Sequence, residues 1–146
     1  MPSINVNFGH SGPVVAAIVT IGAQLRNSRI AAGMSVPAAT SGRFLIDTGS
    51  NMSCIDTALV ARLGLQPMGS INVNAPGSGG NTLIRKQYEV TLYIPANATR
   101  GCNLQDIGML EVSLSAQGLD GLIGRDVIDQ WTCIYNGATS TFTICY

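Results

Sequence analysis

The chain has 146 residues, of which 46% are apolar and only 11% charged, and its eight basic and eight acidic side chains cancel to a formal net charge of zero. That length suits one domain with a single compact core, and the charge balance leaves neither a basic stripe to neutralise phosphates nor an acidic tail, which argues against nucleic acid as a partner. So few charges, with a positive mean hydropathy, favour burial of apolar surface against another chain, and dimerisation is the natural candidate.

The N-terminus, Met1-Pro2-Ser3-Ile4-Asn5-Val6-Asn7, lacks the positive start and apolar core of a secretory signal, so the expected location is cytoplasmic. Residues 1–12 read as an N-terminal segment and 13–146 as the folded domain. Val14 to Ile21 is β-branched and continuous between Gly12-Pro13 and Gly22, the pattern of a strand buried on both faces. At about ten residues, the apolar stretch to Ala23 is roughly half of what a helix needs to cross a bilayer. Gln24 to Gly42, rich in Ser, Ala, Gly and Pro, predicts a long loop or hairpin, with Gln24 to Ile30 able to extend the strand. Arg43 to Ile46 forms the next strand and ends at Asp47. Ser53 to Ile55 predicts a short strand, after which Asp56-Thr57 caps a two-turn helix, Ala58 to Leu63, closed by Gly64.

Ile71 to Asn74 alternates apolar and polar residues, Ala75 to Asn81 is a glycine-rich tip, and Thr82 to Ile94 returns as a long strand, which together describe a hairpin. Pro95 to Asn103 reads as a connection and Ile107 to Leu114 as a strand. Asp120-Gly121 turns into Leu122-Ile123-Gly124, and Arg125 to Trp131 is a short helix with Val127, Ile128 and Trp131 able to share one side. Cys133 to Tyr135 and Thr141 to Ile144 flank Asn136-Gly137, a hairpin turn signal. Short strands dominate and helices are few, so the domain is predominantly β.

Two segments carry the chemistry. Asp47-Thr48-Gly49-Ser50 follows Phe44-Leu45-Ile46 directly, so a buried strand delivers a carboxylate to the mouth of a turn. Alone, such a tetrapeptide also reads as an ordinary turn in which Asp and Gly serve geometry. Far downstream, Leu122-Ile123-Gly124-Arg125-Asp126 repeats the scheme of apolar residues followed by glycine. Together the two segments resemble the active-site frame of the retropepsin-like aspartic proteases. The run Gly121-Leu122-Ile123-Gly124-Arg125-Asp126-Val127-Ile128, before Trp131 and a Tyr135-Asn136-Gly137 turn, is similar to the cellular and bacterial branch of that family. The resemblance covers Val14 to the C-terminus and is strongest from Phe44 to Ile55 and from Gly121 to Ile144. It implies an all-β, single-domain closed β-barrel with a flap hairpin and one or two short helices, active as a homodimer.

Peptide hydrolysis by carboxylates requires two acids that share one proton. The chain has one Asp-Thr-Gly, and Asp56, Glu89, Asp106, Glu111, Asp120, Asp126 and Asp129 lack its setting. The resemblance therefore implies a symmetric dimer in which Asp47 is contributed twice, the two like charges holding a single proton between them. It implies further that the Gly49 amide donates to the carboxylate, that Thr48 reaches to the partner loop, and that the Ser50 hydroxyl bonds the outer carboxylate oxygen. Leu122, Ile123 and Gly124 would brace the loop from beneath, with Gly124 letting two backbones cross. In retroviral relatives the arginine at the place of Arg125 pairs with an aspartate two residues beyond the place of Gly49. Asn51 stands there in this chain, which leaves Arg125 to find Asp126, Asp129 or another acid, or dimer stability to rest on other contacts. Gly77, Ser78, Gly79 and Gly80 occupy the place of the flap that closes over substrate, though a plain surface hairpin also accounts for them. Ile4 to Phe8 and Phe142 to Tyr146 are candidates to interleave with their copies in a dimer sheet.

Cys54, Cys102, Cys133 and Cys145 have no close pairing and one histidine, His10, to assist them, so the expectation is no metal, no organic cofactor and reduced thiols. A nucleophilic role for Cys54 would need a histidine base, and His10 lies in a polar, glycine-flanked segment. The resulting expectation is a homodimeric aspartic endopeptidase acting on extended polypeptides, with neither nucleic acid nor membrane as a partner. Two alternatives stay open: a non-catalytic retropepsin-like module that dimerises or binds peptides, and a barrel whose Asp47 merely caps a turn.

Overall fold

Six strands close into a barrel in the computed structural model, which describes residues 1–74, 77, 79–96 and 100–146. The barrel begins with β2 (Val14–Ile21), antiparallel on one side to β3 (Thr40–Ile46) and on the other to β6 (Thr82–Ile94). Next to β3 runs β8 (Gly121–Ile123) in parallel, followed by β4 (Cys54–Asp56) antiparallel to β8 and β7 (Cys102–Val112) parallel to β4. The ring closes through the antiparallel pairing of β7 with β6. A further strand, β5 (Gly69–Asn74), pairs only with β6 and forms a projecting hairpin. Beside the barrel, β1 (Ser3–Asn7), β10 (Thr141–Cys145) and β9 (Thr132–Asn136) make a separate three-stranded sheet with β10 in the centre.

Period-two alternation explains which residues enter the core. Val15, Ala17, Val19 and Ile21 of β2, Phe44 and Ile46 of β3, Val90 and Leu92 of β6, Met109 of β7 and Ile123 of β8 fill the barrel. Ile4, Phe142 and Ile144 of the small sheet belong to the same apolar cluster. The continuous apolar run of β2 suggested burial on both faces, but one face lies outside the barrel, where Ala16 and Ile18 are exposed. An unbroken run of apolar letters hides this alternation because small or β-branched residues are tolerated outward.

The largest departure from the expected elements is α1 (Ala23–Ala31), where a loop, hairpin or strand extension was expected. Ala, Gln, Leu and Arg are good helix formers, but no residue of this helix is buried, so it lacks the apolar stripe by which a surface helix is recognised. Its N-cap, Gly22, has no side chain to offer, and its first turn carries no acid. Support comes from far along the chain: Ala23 N–H donates to Asp106 Oδ1 at 2.7 Å.

The second helix, α2 (Thr57–Leu63), follows expectation, with Asp56 at its N-cap and Gly64 in the left-handed region at φ 59°. Asp56 does more than cap. It is 2% exposed, and while Oδ1 accepts from Ala58 N–H at 2.8 Å, Oδ2 accepts from the Leu114 and Ser115 amides at 2.6 and 3.0 Å. One carboxylate thus ties the helix start to the end of β7. Asp56→Ala is expected to destabilise the fold by about 3 kcal/mol, since it removes a cap and leaves the buried Leu114 amide without an acceptor. A urea midpoint that stays within a few tenths molar of wild type would refute that role.

Smaller differences follow. β7 starts at Cys102 rather than Ile107, and α3 (Arg125–Ile128) stops before Trp131, which packs half-buried against the core beside buried Val127 and Ile128. The β9–β10 hairpin turns through residues 137–140 rather than a two-residue turn, with Asn136 Oδ1 accepting from Thr139 N–H at 3.2 Å. The terminal segments pair with each other within the chain, Ser3 opposite Cys145 through Asn7 opposite Thr141, leaving the outer edge of β1 unpaired among the described residues. Among the described residues, no helix is long and apolar enough to cross a membrane.

Candidate active site

Asp47 lies one residue past β3, and its amide donates to Ile123 O at 2.9 Å, extending the β3–β8 ladder into the loop. The loop closes as a turn through Ser50 N–H to Asp47 O at 3.2 Å. Within it, the Gly49 amide donates to Asp47 Oδ1 at 2.9 Å. A Cβ on Gly49 would sit 3.1 Å from that same oxygen, so the close approach of amide and carboxylate favours glycine here.

The second segment is laced to this loop. Arg125 N–H donates to Ser50 O at 2.9 Å and Asp126 N–H to Asn51 O at 3.2 Å. Between them the fully buried Ser53 hydroxyl accepts from Gly124 N–H at 3.1 Å and donates to Asp126 Oδ1 at 2.8 Å. At Gly124 the two backbones cross so closely that a Cβ would stand 2.6 Å from the carbonyl carbon of Met52. Ile123 is buried in the core below, while Leu122 lies half-buried on the outside.

In the single chain the Ser50 hydroxyl departs from what the resemblance implied, while Arg125 and Thr48 are left without side-chain partners among the described residues. Ser50 Oγ donates to Met52 O at 2.7 Å rather than to the Asp47 carboxylate, because that carbonyl lies within the same turn. Arg125 is exposed and forms no ion pair among the described residues, whose one ion pair is Arg62 with Asp120 at 3.0 Å. The Asp126 carboxylate, one of its expected partners, is engaged by Ser53 instead. Thr48 is exposed and its side chain makes no hydrogen bond among the described residues of the single chain. At the hairpin tip Gly77, Gly79 and Gly80 have φ of 85°, 62° and 85°, a conformation that favours glycine; Ser78 lies outside the described residues.

Sequence reasoning missed an apolar strip near the acid in which Leu45 and Leu122 are half-buried and Cys54 and Leu110 are buried. Register places Leu45 opposite Leu122, Leu122 opposite Cys54 and Cys54 opposite Leu110, so these four side chains form an apolar strip on the outer face of the barrel next to Asp47. Their only sequence signal was an apolar letter at an outward position. Ser53 was missed as well, since a serine opening a buried strand gives no sign of partners at 124 and 126.

Cys54 is an inert member of this strip. Burial pushes its thiol up to about 11, with Asp126 and Asp47 adding to the rise, while the Ser50 hydroxyl and Arg85 act against it. His10 lies in the exposed turn between Gly9 and Gly12 and is not among the groups acting on the thiol. A raised value means almost no thiolate at pH 8. Cys54 is therefore expected to resist iodoacetamide at that pH in the folded protein and to react after unfolding, as peptide mass mapping would reveal; rapid labelling of the folded chain would contradict the burial argument. Among the described residues no group of three or more His, Cys, Asp or Glu is arranged to hold a metal ion.

A concavity of about 230 Å³ lies between α1, Gln66, Met68 and Glu89. A second, of about 460 Å³, lies between the N-terminal turn and the outer side of β2 and β3. Neither is lined by Asp47. A single chain thus presents the acid half-exposed, with one carboxylate oxygen bonded to Gly49 and with the neighbouring Thr48 hydroxyl unengaged among the described residues.

A family model described as aspartyl protease matches residues 29–127, which include both laced segments. No curated protein matches the sequence. Among solved structures, the crystal structure of a retropepsin-like aspartic protease from Rickettsia conorii is similar with a TM-score of 0.59, at 12% identity, over 98% of this chain and 89% of that one. That likeness establishes a retropepsin-like fold.

Proposed function

The chain belongs to the aspartyl protease family, and from that premise we propose that it is a homodimeric endopeptidase in which two copies of Asp47 form one catalytic site. The observation that carries the reading is the incompleteness of the single chain: the half-buried Asp47 carboxylate is held by the Gly49 amide and makes no other hydrogen bond or ion pair among the described residues. A two-fold axis past Asp47 would supply that acid and give Thr48 a partner loop to bond. The domain would span 13–146, with residues 1–12 adding β1 to the terminal sheet. Among the described residues the outer edges of β1 and β9 are unpaired, and Ile134 and Tyr135 of β9 are exposed, so this sheet offers surface to a second copy.

In the proposed reaction the ionised carboxylate of the pair takes a proton from water as the water oxygen bonds to the peptide carbonyl carbon. The protonated carboxylate gives its proton to the carbonyl oxygen, and collapse of the resulting diol breaks the C–N bond as the nitrogen receives a proton. The substrate would lie extended between the β5–β6 hairpin and the strip of Leu45, Leu122, Cys54 and Leu110, its backbone bonded like an added strand. Gly77, Ser78, Gly79 and Gly80 would form the closing tip. The chemistry calls for neither metal nor organic cofactor.

Mass-spectrometric mapping of a complex peptide mixture incubated with the protein from about pH 4 to about pH 7.5 tests this reading. Discrete cuts between bulky apolar residues are expected. A folded dimer that cuts nothing at any pH in that range would instead be a peptide-binding or dimerisation module.

A further inference from the structure

The cavity of about 460 Å³ opens along the outer side of β2 and of β3, the strand that leads to Asp47. Its walls include Val14 and Ala16 of β2, Arg43 of β3, and Asn7, Phe8 and Ser11 around the turn that follows β1. Val14 lies opposite Leu45 and Ala16 opposite Arg43. Alternate residues of a strand share a face, so Arg43 and Leu45 lie on the outer side of β3, and Asp47 follows one residue past its end. At about 3.3 Å per residue, Arg43 stands about 13 Å from Asp47, the reach of about four residues of extended peptide.

The charge in this cavity is unbalanced. Arg43 has no ion-pair partner among the described residues. Asp120 lies near it, but its Oδ2 accepts from the Arg43 backbone amide at 2.9 Å and its Oδ1 from Arg62 at 3.0 Å, so both oxygens are already engaged. Among the described residues no acid lines the cavity, whereas Asn7 and Ser11 add groups able to donate hydrogen bonds. Arg43 contributes to the wall, its Nη1 lying toward Gly118, and a guanidinium able to swing in from there, with neighbouring donors and an apolar wall of Phe8, Val14 and Ala16, complements a carboxylate on a short aliphatic stem.

We propose that this cavity is an accessory substrate subsite that takes an acidic side chain, aspartate or glutamate, about four residues from the scissile bond, with Arg43 determining the preference. The assignment deepens the peptide-hydrolysis reading and rests on it.

The test uses apolar-centred peptides in which one glutamate or one glutamine is walked through every position on both sides of the cut, with wild type, Arg43→Gln and Arg43→Glu. In wild type, glutamate at one distal position is expected to lower KM about fivefold relative to glutamine with kcat little changed, the signature of uniform binding. That glutamate-to-glutamine ratio should fall to about one in Arg43→Gln, and Arg43→Glu should prefer lysine at the same position. A ratio taken within one variant is insensitive to partial loss of folded enzyme. A wild-type ratio of one at every position, or a preference that survives Arg43→Gln, overturns the assignment. If no peptide is cut, fluorescence anisotropy of the same labelled peptides separates the two claims. Glutamate-dependent binding lost in Arg43→Gln upholds the subsite while the protease reading fails, and charge-blind binding or none refutes the subsite itself.

Discussion

Asp47→Asn is expected to lower kcat for peptide cleavage by at least about 10³-fold while light scattering returns the same mass as wild type. Asparagine keeps the shape of the side chain and an oxygen for the Gly49 amide, which lies 2.9 Å from Asp47 Oδ1, so the turn has no reason to open. The amide cannot exchange a proton with water, and proton transfer by a positioned side chain contributes typically about 10² to 10⁴ in rate. In the proposed dimer the change removes both carboxylates at once and also relieves their repulsion, which leaves association intact or strengthened. KM should change little, because in the proposed complex the β5–β6 hairpin and the apolar strip would hold the substrate. A variant that keeps a tenth or more of wild-type activity would move the chemistry to another residue.

Gly124→Ala should be the most disruptive single methyl group in the site. A Cβ there would lie 2.6 Å from the Met52 carbonyl carbon and 3.0 Å from the Ser53 nitrogen, both rigid backbone rather than a side chain able to swing aside. To make room, the β8–α3 junction must retreat from the loop. That movement breaks the bond from Gly124 N–H to Ser53 Oγ and strains the bonds from Arg125 N–H to Ser50 O and from Asp126 N–H to Asn51 O. Overpacking with loss of buried hydrogen bonds is worth about 3 kcal/mol or more, and Asp47 would shift with the loop that carries it. Denaturant unfolding should show a lowered midpoint, and activity should fall more steeply than the folded fraction. Ser53→Ala, which removes the hydroxyl between Gly124 and Asp126 but adds no bulk, should cost about 1 to 2 kcal/mol. A Gly124→Ala protein as stable as wild type would mean that the two segments can slide apart freely.

The elements around the acid were legible because their signals are local. Phe44-Leu45-Ile46 before Asp47, Asp56 before an apolar helical run and Gly64 after it, and the alternation of residues 71–74 each announce their structure within a few positions. The rest depended on partners distant in sequence. α1 has no buried face, and its first amide is met by Asp106, 83 positions away. The Ser53 hydroxyl joins residues 71 and 73 positions away, so nothing near Ser53 hints at its place between Gly124 and Asp126. Ser50 and Arg125 show the opposite difficulty. Their positions followed from the motif, but their rotamers were decided by the nearest available acceptor, which is the Met52 carbonyl for Ser50 and none within the described chain for Arg125. The apolar strip of Leu45, Leu122, Cys54 and Leu110 needed the strand register, and a sequence fixes register only where a tight turn links the strands; β3, β8, β4 and β7 are joined by long connections.

That one site is made by two copies of Asp47 can be tested by mixing subunits. Wild type and Asp47→Asn would be combined at constant total concentration, well above that needed for dimerisation, equilibrated to exchange subunits, and assayed on a single cleavable peptide. If each site needs a wild-type Asp47 from both chains, only wild-type homodimers cut, and activity should fall as the square of the wild-type fraction, reaching about a quarter at an equal mixture. Activity that falls in direct proportion to the wild-type fraction would show that each chain carries a complete site of its own, and the shared acid pair would have to be abandoned.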